Sequence, residues 1–336
     1  MKIAMVHGPD DLRLDEAALP EPGVDDVVVR VAACGICGSD LTYVAMGGLG
    51  GGPMPLGHEL AGVVEWVGSR VRDLVPGQHV VVNPMAAGNN IGNGGSEGGL
   101  APLLLVRNAA AAPAVVPVPS HVPFARAALV EPLAVALHAV TRAAVGPAER
   151  VVVLGAGSIG LGIIYWLARR GVRDVVAVDL SPLRRALALR FGARAVIDPA
   201  ARPLGEALAE LHGAGSLFGW PVVQSDVYLD AAGAASLIGE VVTLARAGAR
   251  LVVVALHQRP VPVDFRLLLA KELTITAAIG YPEEFPEVID VLATGDDTVD
   301  AMISHQVEWD DLPGAFAAAQ DTARAVKVVV RFPGCA

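Results

Sequence analysis

The chain has 336 residues, of which 53% are hydrophobic and 18% charged; that length exceeds what one core usually serves, and the composition excludes a disordered chain. A net charge of −10 without a basic run excludes tight binding to nucleic acid or to an anionic membrane surface. Three cysteines cannot build a disulfide framework, the apolar stretch after Met1 is too short for a signal peptide, and the apolar runs are of strand length, so a cytoplasmic protein with no membrane partner is expected.

The first third reads as short strands broken by Gly and Pro. Residues 26–33 (DVVVRVAA), 60–67 and 78–82 each predict a strand, and together they predict an all-β, barrel-like domain. Residues 84–100 are rich in Gly and Asn without any period, which predicts a surface loop. A helix is expected over 127–144, then a strand at 151–154, a Gly-rich turn, a helix at 161–170, a strand at 174–178, a helix at 182–191 and a strand at 195–197. This alternation demands a parallel sheet with helices on its faces. Further strands at 226–229, 250–255 and 273–277 supply about the six strands of a doubly wound, Rossmann-type sheet. Helices at 286–292 and 311–319 and a strand at 325–331 add no new βαβ unit. The fold class is therefore α/β plus β, with residues 1–132 and 276–336 forming a split catalytic domain around a dinucleotide-binding domain at 133–275.

The Gly-rich turn is Gly155-Ala156-Gly157-Ser158-Ile159-Gly160, a GxGxxG between a strand and a helix. Gly155 permits the tight turn, Gly157 lets backbone approach a pyrophosphate, and Gly160 lets helix and strand pack closely. The helix N-terminus at Ser158 and Ile159 offers free N–H groups to the anion. Asp179, nineteen residues beyond Gly160, suits the ribose hydroxyls of NAD and would repel the 2′-phosphate of NADP. Arg184 could stack on the adenine or neutralise a phosphate. Without a ligand, the same turn would be an ordinary glycine turn of an α/β fold.

The second constellation is Cys34-Gly35-Ile36-Cys37-Gly38-Ser39-Asp40, followed by Gly57-His58-Glu59. A CxxC can be a redox pair or half of a structural zinc site. The one remaining cysteine, Cys335, is next to the C-terminus, so this chain cannot close a four-cysteine site. A thioredoxin-like pair should open a helix beside a βαβ unit, whereas this one ends a β run. A catalytic zinc needs only three protein ligands and an open position, which Cys37, His58 and a carboxylate would meet. Cys34 reads as a small buried hydrophobe, His79 and His138 as locally bonded or packed, and Cys335 as a free tail thiol. Lysine occurs only at Lys2, Lys271 and Lys327, a bias that codon usage explains as readily as physics.

The segments CGICGSD and GHELAGVVEWVG, with VPGQHVVV, EPLAVALHAV and VVVLGAGSIGLG, resemble the medium-chain zinc alcohol dehydrogenases over essentially the whole chain. The cysteine-plus-GHE pairing separates the zinc enzymes from zinc-free quinone reductases of the same fold. Glu131-Pro132 is similar to the sorbitol, butanediol and threonine dehydrogenase-like subgroup. The resemblance implies a GroES-like catalytic domain, a homodimer or homotetramer paired near 273–277, and a zinc held by Cys37, His58 and Glu59, with Glu131 as the last protein ligand, directly or through water. Glu131 is also readable as a carboxylate favoured by a helix N-terminus. By the same resemblance Ser39 accepts the substrate proton, and Asp40 orients His58 through its distal nitrogen. The chain departs from the family at two places. The structural-zinc lobe, here 83–100, has no cysteine, which implies one zinc per chain. The histidine that often ends the proton relay is replaced by Thr42, leaving water, Thr42 or Tyr43 as the outlet.

The expected chemistry is hydride transfer between an alcohol and NAD. Zinc would acidify the alcohol, and a closing cleft would exclude water. Residues 31–69 and 273–292 contain no Lys or Arg, so an anionic substrate would lack an anchor. A small neutral secondary alcohol or diol, giving a ketone, is expected. Met46, Leu49 and Met54 are expected as an apolar pocket wall. The alternatives are a polyol or sugar dehydrogenase, a zinc-free quinone or enone reductase, and a nucleotide-sensing protein.

Overall fold

The computed structural model describes residues 1–334; Cys335 lies outside them. The chain divides into two compact units. One is Met1–Glu131 with the chain from Phe285 onward, and the other is Pro132–Glu284. The return thus falls at 284/285 rather than 275/276. The last strand of the second unit runs to Ala277, and His138 Nδ1 holds Glu284 Oε1 at 2.7 Å within that unit.

The first unit opens with β1 (Lys2–Gly8) and β2 (Asp11–Glu16), an antiparallel hairpin without a strong sequence signal. Then come β3 (Val27–Ile36), α1 (Gly38–Met46), β4 (Met54–Pro55), β5 (Glu59–Val67), β6 (His79–Val82), β7 (Leu103–Val106) and β8 (Val115–Pro117). The central strand is β3, which pairs antiparallel with β5 along one edge. Its other edge serves β7 with Val27–Arg30 and, further along, the C-terminal strand with Ala33–Ile36. Register shifts at Val28/Val29 and Val31/Ala33 mark irregularities in the β3–β5 ladder, the kind of bulge that bends a strand and lets one edge serve two partners. Val29, Val31, Leu60, Val64, Val80 and Leu104 fill the core between them.

Residues 84–100 form an irregular segment with one short 3-10 turn, but not a free surface loop. Ile91 and Gly98–Leu100 are buried. Gly99 N–H donates to Gly57 O at 2.7 Å and Leu100 N–H to Leu56 O at 3.0 Å. A Cβ on Gly98 would lie 2.5 Å from Leu56 O, and one on Gly99 2.5 Å from Leu60 Cδ2. The glycines here serve close packing against the segment that carries His58.

The helix expected at 127–144 is two: α2 (Phe124–Ala127) and α3 (Val130–Ala143). Pro132 lies in the first turn of α3, where a missing N–H costs no hydrogen bond; deeper in one continuous helix it would break the ladder. By length and composition the stretch Phe124–Ala143 could cross a bilayer, but 67% of its 18-residue apolar window is buried inside the protein, as in a core helix.

The second unit runs β9 (Val151–Leu154), α4 (Ser158–Arg169), β10 (Val175–Val178), α5 (Pro182–Phe191), β11 (Ala195–Ile197), α6 (Leu204–His212), β12 (Ala214–Leu217), β13 (Trp220–Val223), β14 (Val227–Asp230), α7 (Ala235–Leu244), β15 (Arg250–Val253), α8 (Phe265–Lys271) and β16 (Thr274–Ala277). Six strands form one parallel sheet in the order β11-β10-β9-β14-β15-β16. The order reverses direction between β9 and β14, which defines the switch point of a doubly wound fold. Every residue of β9, β10 and β14 is buried, the mark of central strands covered on both faces. The β12–β13 hairpin is a small separate sheet that no sequence signal announced.

After α9 (Phe285–Ala293) the chain adds β17 (Ile303–Glu308), α10 (Leu312–Gln320) and β18 (Lys327–Arg331) to the first unit. Strand β18 inserts between β17 and β3. Trp309 and Phe332 stack with centroids 4.8 Å apart and enter the same core as Val29 and Leu60.

Candidate functional site

Strand β3 ends at Ile36, and Cys37 caps α1 with extended backbone, φ −89° and ψ 156°. Asp40 Oδ2 accepts the Cys37 N–H at 2.8 Å, completing a capping box. The CxxC ends a β run, as its reading had it, and its second cysteine also caps a helix. The surroundings are nevertheless an antiparallel sheet, and Cys34 belongs to the strand. It is fully buried, and burial raises its thiol pKa well above the ordinary range. Cys37 instead stands at the N-terminus of α1.

The Cys37 thiol, the His58 imidazole and the Glu59 carboxylate present ligand atoms that all lie within 4.8 Å of one another. A tetrahedral zinc with bonds of about 2.0–2.3 Å separates its donors by roughly 3.3–3.8 Å, so a small inward adjustment would seat one. Asp40 is fully buried and also accepts the Gly57 N–H at 3.3 Å. Its Oδ1 stands 3.6 Å from His58 Nδ1, which has no hydrogen-bond partner. Burial alone would lower the His58 pKa, but the charges of Asp40 and then Cys37 outweigh it and hold the pKa well above the usual value. A buried site with so strong a demand for positive charge fits a divalent cation. Ser39 Oγ lies 3.5 Å from His58 Nε2.

Glu59 is not free. Lys327 Nζ donates to both of its carboxylate oxygens at 2.6 Å and to Ile36 O at 3.2 Å. The two side chains are 1% and 0% exposed. Burial acts to lower the Lys327 pKa, but the charges of Glu59 and then Cys37 outweigh that and keep it raised. The pair meets across β3 because Glu59 opens β5 opposite Gly35, while Val328 of β18 pairs Ile36. A side chain at Gly35 would run into the Glu59 carboxylate, which explains the glycine inside the CxxC.

Sequence reasoning missed Lys327. Its one signal was a lysine inside an apolar strand of a chain with three lysines. Lys271, fully buried, also has a defined place: its Nζ donates to the carbonyls of Val242 and Thr243 near the end of α7.

The remaining residues divide. Glu131 lies in the first turn of α3, 8% exposed, outside the group of mutually close ligand atoms. Thr42 donates to Gly38 O at 3.1 Å in its own helix, and Tyr43 to Asn93 Oδ1 at 3.3 Å. Met46 and Leu49 are exposed, but Met54 is 6% exposed and belongs to the core, not to a pocket wall. His79 packs on Phe124 with the rings tilted and their centroids 4.4 Å apart.

In the second unit, Gly155 follows β9 with φ +90°, a conformation that disfavours any side chain. A Cβ on Gly160 would overlap the Gly155 carbonyl, whereas one on Gly157 meets nothing nearer than Arg184 Nη1 at 3.8 Å. Helix α4 begins at Ser158 with no side-chain cap, leaving its first N–H groups for an anion. Asp179 follows β10 and accepts N–H groups from Ala156 at 2.8 Å and Ser181 at 2.7 Å. Gly160→Ala should lower stability by about 1–3 kcal/mol in denaturant unfolding through overpacking. Gly157→Ala should leave stability within about 0.5 kcal/mol and instead weaken dinucleotide binding, because its Cβ fills space that a phosphate needs.

A doubly wound nucleotide unit joined in one chain to a β-unit with a largely buried Cys-His-Glu cluster defines a metal- and nicotinamide-dependent oxidoreductase. Residues 23–120 match the alcohol dehydrogenase GroES-like domain, and residues 158–294 match the zinc-binding dehydrogenase domain. Human sorbitol dehydrogenase is 31% identical over 333 residues, covering 93% of this chain and 90% of that protein. Among solved structures, 2R,3R-butanediol dehydrogenase from Bacillus subtilis superposes with a TM-score of 0.84 at 28% identity, covering 98% and 99% of the two chains. An alcohol dehydrogenase from Escherichia coli CFT073 complexed with NADH does so with a TM-score of 0.87 at 28% identity, covering 99% of both. The chain belongs to the medium-chain zinc-dependent alcohol dehydrogenase family.

Proposed function

We propose that this enzyme oxidises a small neutral secondary alcohol or diol to a ketone with NAD, using one catalytic zinc held by Cys37, His58 and Glu59 in the catalytic unit. The observation that carries the reading is the convergence of those three ligand atoms beside the Ser39 hydroxyl. When bound, zinc would supply Lewis acidity toward the alcohol oxygen and NAD a hydride acceptor. Ser39 Oγ would accept the hydroxyl proton while passing its own to water. Asp40 presents its carboxylate to the His58 ring at 3.6 Å, and Lys327 holds the Glu59 carboxylate. The cysteine-free segment 83–100 is held by backbone hydrogen bonds, which supports a single zinc. The absence of Lys and Arg from residues 31–69 supports a neutral substrate. The similarity to sorbitol and butanediol dehydrogenases makes polyols and diols the first compounds to test.

The dinucleotide would lie at Gly155–Gly160 with its adenosine ribose on Asp179, and Arg184 beside Gly157 would serve the phosphate or adenine. NAD should exceed NADP in kcat/KM by about tenfold to a hundredfold, the roughly 1.4–2.8 kcal/mol that one close charge repulsion supplies. Asp179→Ser should narrow that ratio in the same steady-state assay. A homodimer or homotetramer is expected: the edge strand β16 carries the exposed Ile275, with Leu269 and Ile279 exposed near it in sequence. The deciding experiment is a panel of secondary alcohols, diols and polyols with NAD, before and after chelation. Chelation should abolish turnover and zinc should restore it; full turnover by metal-free protein would sink the proposal.

A further inference from the structure

A second ionisable pair, in the nucleotide-binding unit, has no part in the chemistry above. Asp230 is the last residue of β14 and is fully buried. Its Oδ1 accepts the N–H groups of Ala232 and Gly233, both at 3.1 Å. Its Oδ2 lies 2.7 Å from Nε2 of His257, which stands on the loop after β15. The His257 side chain is 14% exposed, and its Nδ1 has no protein hydrogen bond among the described residues.

These loops adjoin the phosphate turn. A Cβ on Gly155 would lie 2.9 Å from Ala232 N and 3.0 Å from Ala231 C, so the β14 loop rests on the turn. A Cβ on Gly233 would lie 3.3 Å from both Ala255 Cβ and Leu256 O, so the β15 loop rests on the β14 loop. In a doubly wound sheet each half carries one nucleotide at the carboxyl ends of its strands. Asp179 marks the adenosine half at the end of β10. The nicotinamide half then falls at the ends of β14 and β15, where His257 stands.

A carboxylate on Nε2 requires the proton there and leaves Nδ1 as a lone-pair acceptor in the neutral ring. We infer that His257, oriented by Asp230, accepts a hydrogen bond from a ribose hydroxyl of the nicotinamide half of the dinucleotide. This rests on the reading of the second unit as a dinucleotide site. His257 is thus a cofactor-positioning group, and Asp230 acts through it.

The test compares ADP, ADP-ribose and NADH binding by calorimetry in the full-length protein, His257→Ala and His257→Gln. ADP lacks the second ribose; ADP-ribose has it without nicotinamide. Glutamine can donate its amide N–H to Asp230 and still offer its carbonyl oxygen as an acceptor, so it is the conservative rescue. His257→Ala should bind ADP-ribose and NADH about tenfold more weakly with ADP unchanged, and His257→Gln should recover part of that loss. If the alanine variant does not fold, His257→Phe, which keeps a ring but has no acceptor, takes its place. Unchanged ADP-ribose affinity in the variant without an acceptor, equal weakening of all three ligands, or no recovery by His257→Gln overturns the inference. Failure of the wild-type protein to bind ADP or NADH overturns the cofactor reading itself, and this inference with it.

Discussion

Cys37→Ser should leave the protein folded but without retained zinc, and should reduce kcat/KM by about a thousandfold or more. That is the several kcal/mol expected of Lewis-acid stabilisation, at about 1.36 kcal/mol per decade. Serine is close to cysteine in volume and can still cap α1, so the substitution removes a soft ligand and little else. Cys34→Ala is the matched control. Its sulfur is buried in strand β3 and donates only a long hydrogen bond to Gly35 O at 3.6 Å, so zinc content and turnover should survive. Metal analysis by mass spectrometry beside a steady-state assay separates the two cysteines. Equal loss in both variants would instead support a redox or structural CxxC.

Lys327→Met should destabilise the protein more than any other of these substitutions. It leaves the Glu59 carboxylate buried without its cation, and removing one partner of a buried pair costs about 3–5 kcal/mol. The loss should be smaller in zinc-loaded protein than in chelated protein, because a divalent ion offers the carboxylate another positive partner. Adding Glu59→Gln should recover much of the stability of the metal-free form, since the stranded charge is then gone. Urea unfolding of wild type, single and double variants with and without zinc measures each contribution. A loss below about 1 kcal/mol, the range of exposed ion pairs, would show that the pair is not insulated from water.

The elements that could be read in advance are those whose local pattern is decisive. The parallel sheet was legible because β9, β10 and β14 are largely apolar runs between helices, and the phosphate turn because its glycines answer a backbone requirement. Helix α1 was not legible: in Gly38–Met46 the helix follows a strand at a cysteine cap, and its apolar residues share the segment with glycines. The break between α2 and α3 was written in Pro132, but Ala-rich sequence on both sides reads as one helix. The β12–β13 hairpin turns at Phe218 and Gly219, both with positive φ, and an aromatic at such a position gives no turn signal.

The same division runs through the site. Cys37 and His58 with a carboxylate could be nominated from the sequence because donor chemistry is a property of residue type, and the resemblance to the zinc alcohol dehydrogenases pointed to Glu59 as that carboxylate. The demand for glycine at 155 and the acidic residue at 179 were likewise readable from local pattern. Only the tertiary structure could decide that Glu59 is shared with Lys327, 268 positions away. It alone could show that residues 84–100 are packed against Gly57 and that Asp230 holds His257. Each of these depends on which strands become neighbours. Strand pairing is set by burial summed over whole sheets, which no local window of sequence contains.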